Sequence, residues 1–452
     1  MEREARQYVY TIPYEGKFIV YRPLKRLAFL ANRAMVNFIG SLIDEKEKDG
    51  KGEEAYRFLE RIGFMQPDPP PPEPAPPDGS FKPTMAVLFT TTACNFRCVY
   101  CYASGGERAV QILPFENGCA AIDHVYRNAV EKGEDRFSVG FHGGGEPTLA
   151  KETFRRLVHY ARGKGLPCEI TVATNGYWGE DERDWILNNI NSVSLSFDGI
   201  REIHDRQRPL ASGAGTHRVI LTLIREMDRR SFPYGIRLTV TDGSIDQLPE
   251  SIDFLCRETS CGTFHVEPAF AHGRALLNGS ALSEDPRFAS VFLEAYDIAA
   301  SYGRHCYYSG ARPWAITSCF CQAFDKALIL THDSLVTSCY EIYSRRHPLA
   351  SDFFFGSLLK DGSLDMNPWV RKILYEKIRT RRSLCVDCFC YWHCAGDCPS
   401  KTFTPEKDAH LSFGNRCDLN RTITARLLAR YISDAGGIWH GKKPKDNPFM
   451  EV

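Results

Sequence analysis

Between residues 85 and 270 the chain alternates short apolar runs with segments of helical period, and this alternation restricts it to an α/β fold with a mostly parallel sheet. MAVLFTT, RFSVGF, CEITVAT, VSLSFD, IRLTVT and FHVEPAF read as six strands. Helical patterns such as KETFRRLVHYARGK and HRVILTLIREMDRR lie between them. The unusual residues fall just after strands: a cysteine loop after the first, 142-HGGGEP-147 after the second, Asn175-Gly176 after the third and Gly199 after the fourth. In an α/β barrel or open sheet that is where the active site forms.

The flanks differ in composition. Residues 7 to 64 read as a small unit of three short strands, YVYTIPY, KFIVYRP and RLAFLA, with a turn at Glu15-Gly16. Two helical patterns follow, with Asn32 as the expected N-cap of the first and Gly63 as the stop of the second. Next comes 66-QPDPPPPEPAPPDG-79, whose prolines lack backbone donors and favour an extended linker. The expected divisions are residues 1–65, a linker over 66–80, an α/β core over 81–305, a cysteine-rich region over 306–435 and a tail over 436–452.

Charge gives no direction. Lys plus Arg and Asp plus Glu both total 56, so nothing draws the whole chain to nucleic acid or an anionic membrane. The N-terminus has no signal-peptide run, and no apolar stretch is long enough to span a bilayer, which places the chain in the cytoplasm. A reducing compartment does not reward disulfides, so seventeen cysteines point to metal or cluster ligation. Cys119, Cys168, Cys256, Cys261 and Cys306 stand apart and read as small buried hydrophobes.

The stretch 94-CNFRCVYC-101 carries three thiols at CxxxCxxC spacing. Three thiolates can hold three irons of a cubane and leave the fourth open for chemistry, whereas structural zinc takes four protein ligands. A structural or zinc site completed by a distant cysteine or by His142 is the alternative from spacing alone.

This loop after a first strand, with Tyr100 before the third cysteine and GGEP after the second strand, resembles the radical S-adenosylmethionine (radical SAM) superfamily. The resemblance implies a partial (β/α)6 barrel with a 4Fe-4S cluster on Cys94, Cys98 and Cys101, whose open iron chelates S-adenosylmethionine. It implies that Tyr100 lies near the adenine, and that Gly144, Gly145, Glu146 and Pro147 contact the methionine amine. Glycines let a backbone approach a ligand, and a carboxylate suits an ammonium group. Ser196 with Asp198, Asn175 and Arg218 match positions where relatives contact the cofactor, and each could equally be a loop or cap residue.

The run 385-CVDCFCYWHCAGDC-398, with Cys417 after a gap and Cys319, Cys321 and Cys339 upstream, resembles the SPASM extension of radical SAM peptide-modifying enzymes. That resemblance implies two auxiliary 4Fe-4S clusters, hence three in all. One would use Cys385, Cys388, Cys394 and Cys417; the other Cys339, Cys398 and one or both of Cys319 and Cys321. Cys390 has no counterpart, and Ser334 stands where the extension usually has glycine.

The N-terminal unit resembles the winged-helix-like peptide-recognition element of ribosomal peptide maturases, in which a leader peptide adds a strand to a sheet edge. Together the resemblances imply an enzyme that generates a 5'-deoxyadenosyl radical, abstracts hydrogen from a precursor-peptide residue and installs a thioether, carbon-carbon or ether cross-link. A reductase or a flavodoxin- or ferredoxin-type protein would donate the electron. Tyr340 and Glu341, directly after Cys339, are the acid-base candidates. A sulfatase-maturase-like formylglycine-forming enzyme carries aspartate where Tyr340 stands. A small-molecule radical SAM enzyme and a non-enzymatic zinc-stabilised peptide-binding scaffold remain open.

Overall fold

A computed structural model describes residues 8–43, 52–72, 81–282, 285–321, 323–403 and 414–441. Residues 73–80 of the expected linker, the first helical pattern beyond residue 43 and the tail beyond residue 441 lie outside the described residues.

Tyr10–Tyr14 (β1), Lys17–Arg22 (β2) and Leu27–Ala31 (β3) form an antiparallel meander. Glu15 and Gly16 turn between β1 and β2 with φ of 45° and 74°, the left-handed pair a tight hairpin needs. Asn32 caps helix Arg33–Ile43, its Oδ1 accepting from the Met35 N–H at 2.9 Å. Gly63, at φ 71°, follows helix Glu53–Arg61 and stops it.

The core strands are Met85–Leu88 (β4), Phe137–Phe141 (β5), Cys168–Thr174 (β6), Ser192–Ser196 (β7), Tyr234–Val240 (β8) and Thr263–Pro268 (β9). They pair in parallel in chain order, as their crossover helices require. The parallel α/β expectation is therefore met. Both ends of the sheet extend beyond the expected six. His305–Tyr307 (β10) adds in parallel to β9, and Ala327–Leu330 (β11) adds in parallel to β4. Leu335–Thr337 (β12), Phe354–Leu358 (β13) and Leu364–Met366 (β14) continue from β11 in antiparallel order. The eleven-stranded sheet has β10 and β14 as its edges and is not closed among the described residues. It runs across the expected boundary at 305–306, so the cysteine-rich region is built onto the core sheet through β11.

The two faces of this sheet differ in chemistry. Val139, Ile170, Val172, Val193, Leu195, Ile236, Leu238, Phe264 and Val266 pack against helix residues such as Phe154, Leu157, Ile220 and Ile252 in one continuous core. Alternation sends their neighbours to the opposite face. There stand Ser138, Gly140, Thr171, Ser194, Ser196, Arg237, His265 and Glu267, all half-buried except Arg237, which is exposed. An inner face of this kind is a lumen for a ligand rather than a packed plug. Val87, Phe89, Ala327 and Ile329 close it under β4 and β11.

Helix Gly414–Asp434 ties the N-terminal sheet to the core. Leu419, Ile423 and Leu427 belong to the large core, while Leu428 and Ile432 pack with Ile12, Ile19, Tyr21 and Ala28. After it, Ile438–Trp439 (β15) pairs antiparallel with β3, placing Ile438 opposite Phe29. Trp439 is buried with Tyr21 and Tyr431 around it. This strand is too short to be read from sequence, and it occupies the β3 edge of the sheet.

Candidate active site

The cysteine loop leaves β4 and is fastened at many points. The Arg97 guanidinium donates to the carbonyls of Cys94 at 2.9 Å, Phe96 at 2.8 Å and Gly106 at 2.8 Å. The Arg97 and Val99 N–H groups donate to Pro209 and Gln207 carbonyls. On the other side Arg274 Nε donates to the Cys98 carbonyl at 2.7 Å, and the Arg274 N–H donates to the Cys101 carbonyl. Gly273 lies so close that a Cβ there would be 2.4 Å from the Cys101 carbonyl oxygen.

Cys94 and Cys98 are held in surroundings that disfavour bare thiolates. Burial pushes Cys94 up to about 12, with the Cys98 and Glu146 charges adding, and burial pushes Cys98 up to about 11 against the pull of Arg208. A set of soft sulfur donors in need of positive charge fits iron ligation.

The glycine loop docks on the first turn of the cysteine loop. The Glu146 N–H donates to the Ala93 carbonyl at 2.7 Å. A Cβ on Gly145 would come 2.1 Å from that same carbonyl oxygen, and one on Gly105 would stand 3.1 Å from the Gly144 carbonyl. Gly143 and Gly144 have φ of 70° and 72°. Backbone is thus brought to the rim of the cysteine loop with no side chain over it, a cradle that fits an amino-acid-like ligand.

The Glu146 carboxylate is taken up by the protein's own donors. It is 3% exposed and accepts from Thr148 Oγ1 at 2.8 Å, Thr174 Oγ1 at 2.7 Å and the Asn175 N–H at 2.8 Å. Its oxygens brace the ends of β5 and β6 together, which leaves the loop backbone to meet a ligand. Asn175 is drawn into the same brace, its Nδ2 donating to Asn95 Oδ1 of the cysteine loop at 2.8 Å. Ser196 faces the lumen at the end of β7, half-buried. Arg218 is exposed on helix His217–Arg229, where solvent solvates its charge.

A second buried arginine beside the loop is Arg208. It donates to the Tyr100 hydroxyl, which in turn donates to Asp198 Oδ2 at 2.7 Å. Asp198 is 3% exposed and also accepts from Gln207 Nε2 at 2.8 Å and the Thr239 N–H at 3.1 Å. Burial raises its carboxyl, and the Arg208 charge opposes that. Removing the acid would leave the Arg208 charge buried without its partner. Asp198→Ala is accordingly expected to cost about 3–5 kcal/mol in denaturant unfolding of the cluster-free protein; a loss below about 1 kcal/mol would show that water replaces the carboxylate.

The C-terminal cysteines gather into two groups. The charges of Cys388 and Cys417 act on Cys385, and that of Cys417 on Cys394. Those of Cys398 and Cys319 act on Cys321, and that of Cys398 on Cys339. Cys319 and Cys321 fall in the same group. Cys390 is buried beside Cys388 and Cys394. Between the groups, Ala395, Gly396 and Asp397 all have positive φ, of 48°, 87° and 68°. The buried Arg416 guanidinium holds Asp397 there, which sustains backbone strain of this kind. Among the described residues no three His, Cys, Asp or Glu side chains converge tightly enough for one metal ion; cubane ligands stand farther apart, each on its own iron.

One of these groups adjoins the catalytic loop. The Tyr102 hydroxyl donates to the Tyr340 carbonyl at 3.3 Å, and the Tyr343 hydroxyl donates to the Ala103 carbonyl. Tyr340 packs its ring 5.3 Å from His142. Glu341 is held by Lys401 at 3.0 Å, and although burial opposes it, that charge keeps its carboxyl below the usual range. Sequence reasoning missed Arg208, Arg274, Arg237, His265 and Glu267. Polar residues alternating through FHVEPAF were the available signal for the last two.

Residues 88–255 match the Radical SAM superfamily. The chain is 24% identical over 318 residues, covering 68% of this chain and 70% of the relative, to the sporulation killing factor maturation protein SkfB of Bacillus subtilis. It is also 24% identical over 311 residues, 66% of this chain and 72% of the relative, to the Fe-coproporphyrin III synthase of Methanosarcina barkeri. Among solved structures, native anSMEcpe with bound AdoMet and Kp18Cys peptide matches with a TM-score of 0.62 at 19% identity, over 78% of this chain and 99% of that one. Streptococcus suis SuiB bound to precursor peptide SuiA matches with a TM-score of 0.51 at 13% identity, over 90% of this chain and 99% of that one.

Proposed function

Because the chain is a radical SAM superfamily enzyme, we propose that it modifies a ribosomally made precursor peptide by closing a thioether, carbon-carbon or ether cross-link. When bound, S-adenosylmethionine and a reduced 4Fe-4S cluster on Cys94, Cys98 and Cys101 supply the 5'-deoxyadenosyl radical that removes one substrate hydrogen atom. The chain's part is to hold the substrate in the polar lumen under Arg237 and Ser196 and to keep water from the reacting carbon.

The observation that carries this reading is the docking of the 340–343 segment, next to Cys339, on the catalytic cysteine loop through Tyr102 and Tyr343. It sets a second group of thiols beside the lumen, where an auxiliary cluster on Cys319, Cys321, Cys339 and Cys398 could take the electron released on bond closure. Cys385, Cys388, Cys394 and Cys417 would hold the other auxiliary cluster. A flavodoxin- or ferredoxin-type protein would reduce the catalytic cluster. Peptides are bound in the matching solved structures of anSMEcpe and SuiB, and the N-terminal sheet built on β1 to β3 is the expected leader-binding unit.

The similarity to an Fe-coproporphyrin III synthase favours a second reading, a small-molecule substrate. One assay separates them. Anaerobically reconstituted enzyme with S-adenosylmethionine and dithionite is given a displayed library of cysteine-containing peptides. Loss of two hydrogens from a peptide supports cross-linking, and loss of sulfur signals formylglycine formation. Steady 5'-deoxyadenosine formation with every peptide unchanged overturns the peptide reading.

A further inference from the structure

The lumen contains an ordered acid-base pair that none of the cofactor expectations uses. His265 and Glu267 lie two residues apart on β9 and so share its inner face. His265 Nε2 is 3.0 Å from Glu267 Oε1 and 2.9 Å from Ser309 Oγ. The Ser309 N–H donates to the same carboxylate oxygen at 2.9 Å. The imidazole stacks on Tyr307, its β10 partner in register, with centroids 4.4 Å apart and planes 7° off parallel.

These contacts fix the ring and the direction in which the other nitrogen points, and a carboxylate beside Nε2 favours the tautomer that carries its proton there. With Nε2–H donated to the carboxylate, Nδ1 carries the free lone pair. Nδ1 makes no hydrogen bond among the described residues, and it is not among the buried polar atoms without partners. The His265 side chain is 13% exposed and Glu267 20%, on a face otherwise lined by Ser194, Ser196 and Arg237. A purely structural pair would use both ring nitrogens or seal the second one.

Resting on the peptide-modifying reading, we infer that His265 is the proton acceptor of the reaction and that Glu267 and Ser309 position it. One substrate C–H hydrogen leaves with the cleaved S-adenosylmethionine as 5'-deoxyadenosine. The attacking S–H, O–H or C–H group then bonds to that carbon. Its proton passes to His265 Nδ1, and an oxidised auxiliary 4Fe-4S cluster, held by the C-terminal cysteines, would take the one electron released. The peptide loses two hydrogens in all, and the electron that cleaved S-adenosylmethionine is returned.

The charged surroundings keep the acceptor neutral and ready. Burial, and then Arg237 opposite it in register on β8, hold His265 below its ordinary value, with Arg312 adding and Glu267 opposing. Although burial opposes it, Glu267 is held ionised by the His265 hydrogen bond and by Arg416. Glu341 also faces this carboxylate.

The test uses the reconstituted holoenzyme and whichever library peptide loses two hydrogens, with cross-linked product counted per 5'-deoxyadenosine from pH about 5.5 to about 9. In the wild type the ratio falls on the acid side as the imidazole takes a proton. His265→Gln lowers the ratio about 100-fold and flattens that limb. Glu267→Gln loses less and moves the limb to lower pH, because the anion that stabilises the imidazolium is gone. A ratio for His265→Gln within about twofold of wild type, with the same acid limb and full iron content, overturns the inference. Diethylpyrocarbonate on peptide-free wild type supplies a readout independent of turnover and of variant folding. Carbethoxylation of His265 supports the open Nδ1, and complete resistance of His265 at alkaline pH overturns it. A wild type that modifies no peptide sinks the peptide reading instead, and the labelling result still judges the open nitrogen.

Discussion

Replacing Cys94, Cys98 and Cys101 together with alanine abolishes 5'-deoxyadenosine formation and lowers iron from about twelve to about eight per chain, the difference of one cubane. Anaerobic purification with iron and sulfide quantitation, followed by a dithionite assay, reads both. The expectation is this sharp because the loop's backbone is held independently of its thiols. Arg97, Arg274 and the Pro209 and Gln207 carbonyls hold its backbone whether or not the thiols are present. The variant should therefore fold, and the C-terminal cysteines should retain their own iron. Zinc in place of iron, with no S-adenosylmethionine cleavage by folded wild type, would promote the scaffold alternative.

Gly145→Ala is expected to abolish S-adenosylmethionine binding while destabilising the cluster-free protein by about 3 kcal/mol. The added Cβ would sit 2.1 Å from the Ala93 carbonyl oxygen and 2.7 Å from the Thr92 carbonyl carbon. Both are backbone atoms of the strand-to-loop junction, and neither can swing aside as a side-chain tip could. Relief would require parting the Glu146 to Ala93 hydrogen bond, which is the contact that joins the glycine and cysteine loops. Gly163→Ala is the control: its Cβ would meet nothing closer than 3.5 Å, and its φ is −78°. Equilibrium dialysis with labelled S-adenosylmethionine and a denaturant titration separate the two losses. Wild-type affinity in Gly145→Ala would mean that the junction yields and that the glycine is dispensable.

Much of the core was legible because its signals are local. Parallel strands buried on one face by helices must be apolar at alternate positions, and crossover helices must show a 3.6-residue period, so β4 to β9 stand out in the sequence. Asn32 and Gly63 were readable for the same reason, since a cap and a stop each depend on one residue's own chemistry. What escaped were elements whose pairing is remote. β10, β11 and β15 are two to four residues long and exist because a distant edge accepts them. Two arginines are separated in the same way. Arg208 and Arg218 look alike in sequence, and only the turn of the chain after helix Arg201–Gln207 carries one to Tyr100 and leaves the other in water.

By itself the sequence determined the α/β class and the thiol spacing, because those depend on periodicity and on residue order. Tertiary structure alone decided the direction of each polar group. Glu146, placed by its motif to meet an ammonium, is turned inward by Thr148, Thr174 and the Asn175 N–H, because a buried carboxylate goes where donors satisfy it. His265 and Glu267 belong to an ordinary strand pattern until β8 and β10 bring Arg237, Tyr307 and Ser309 around them. A hydrogen bond needs both partners in place, and residues on different strands and loops become partners only when the sheet has assembled.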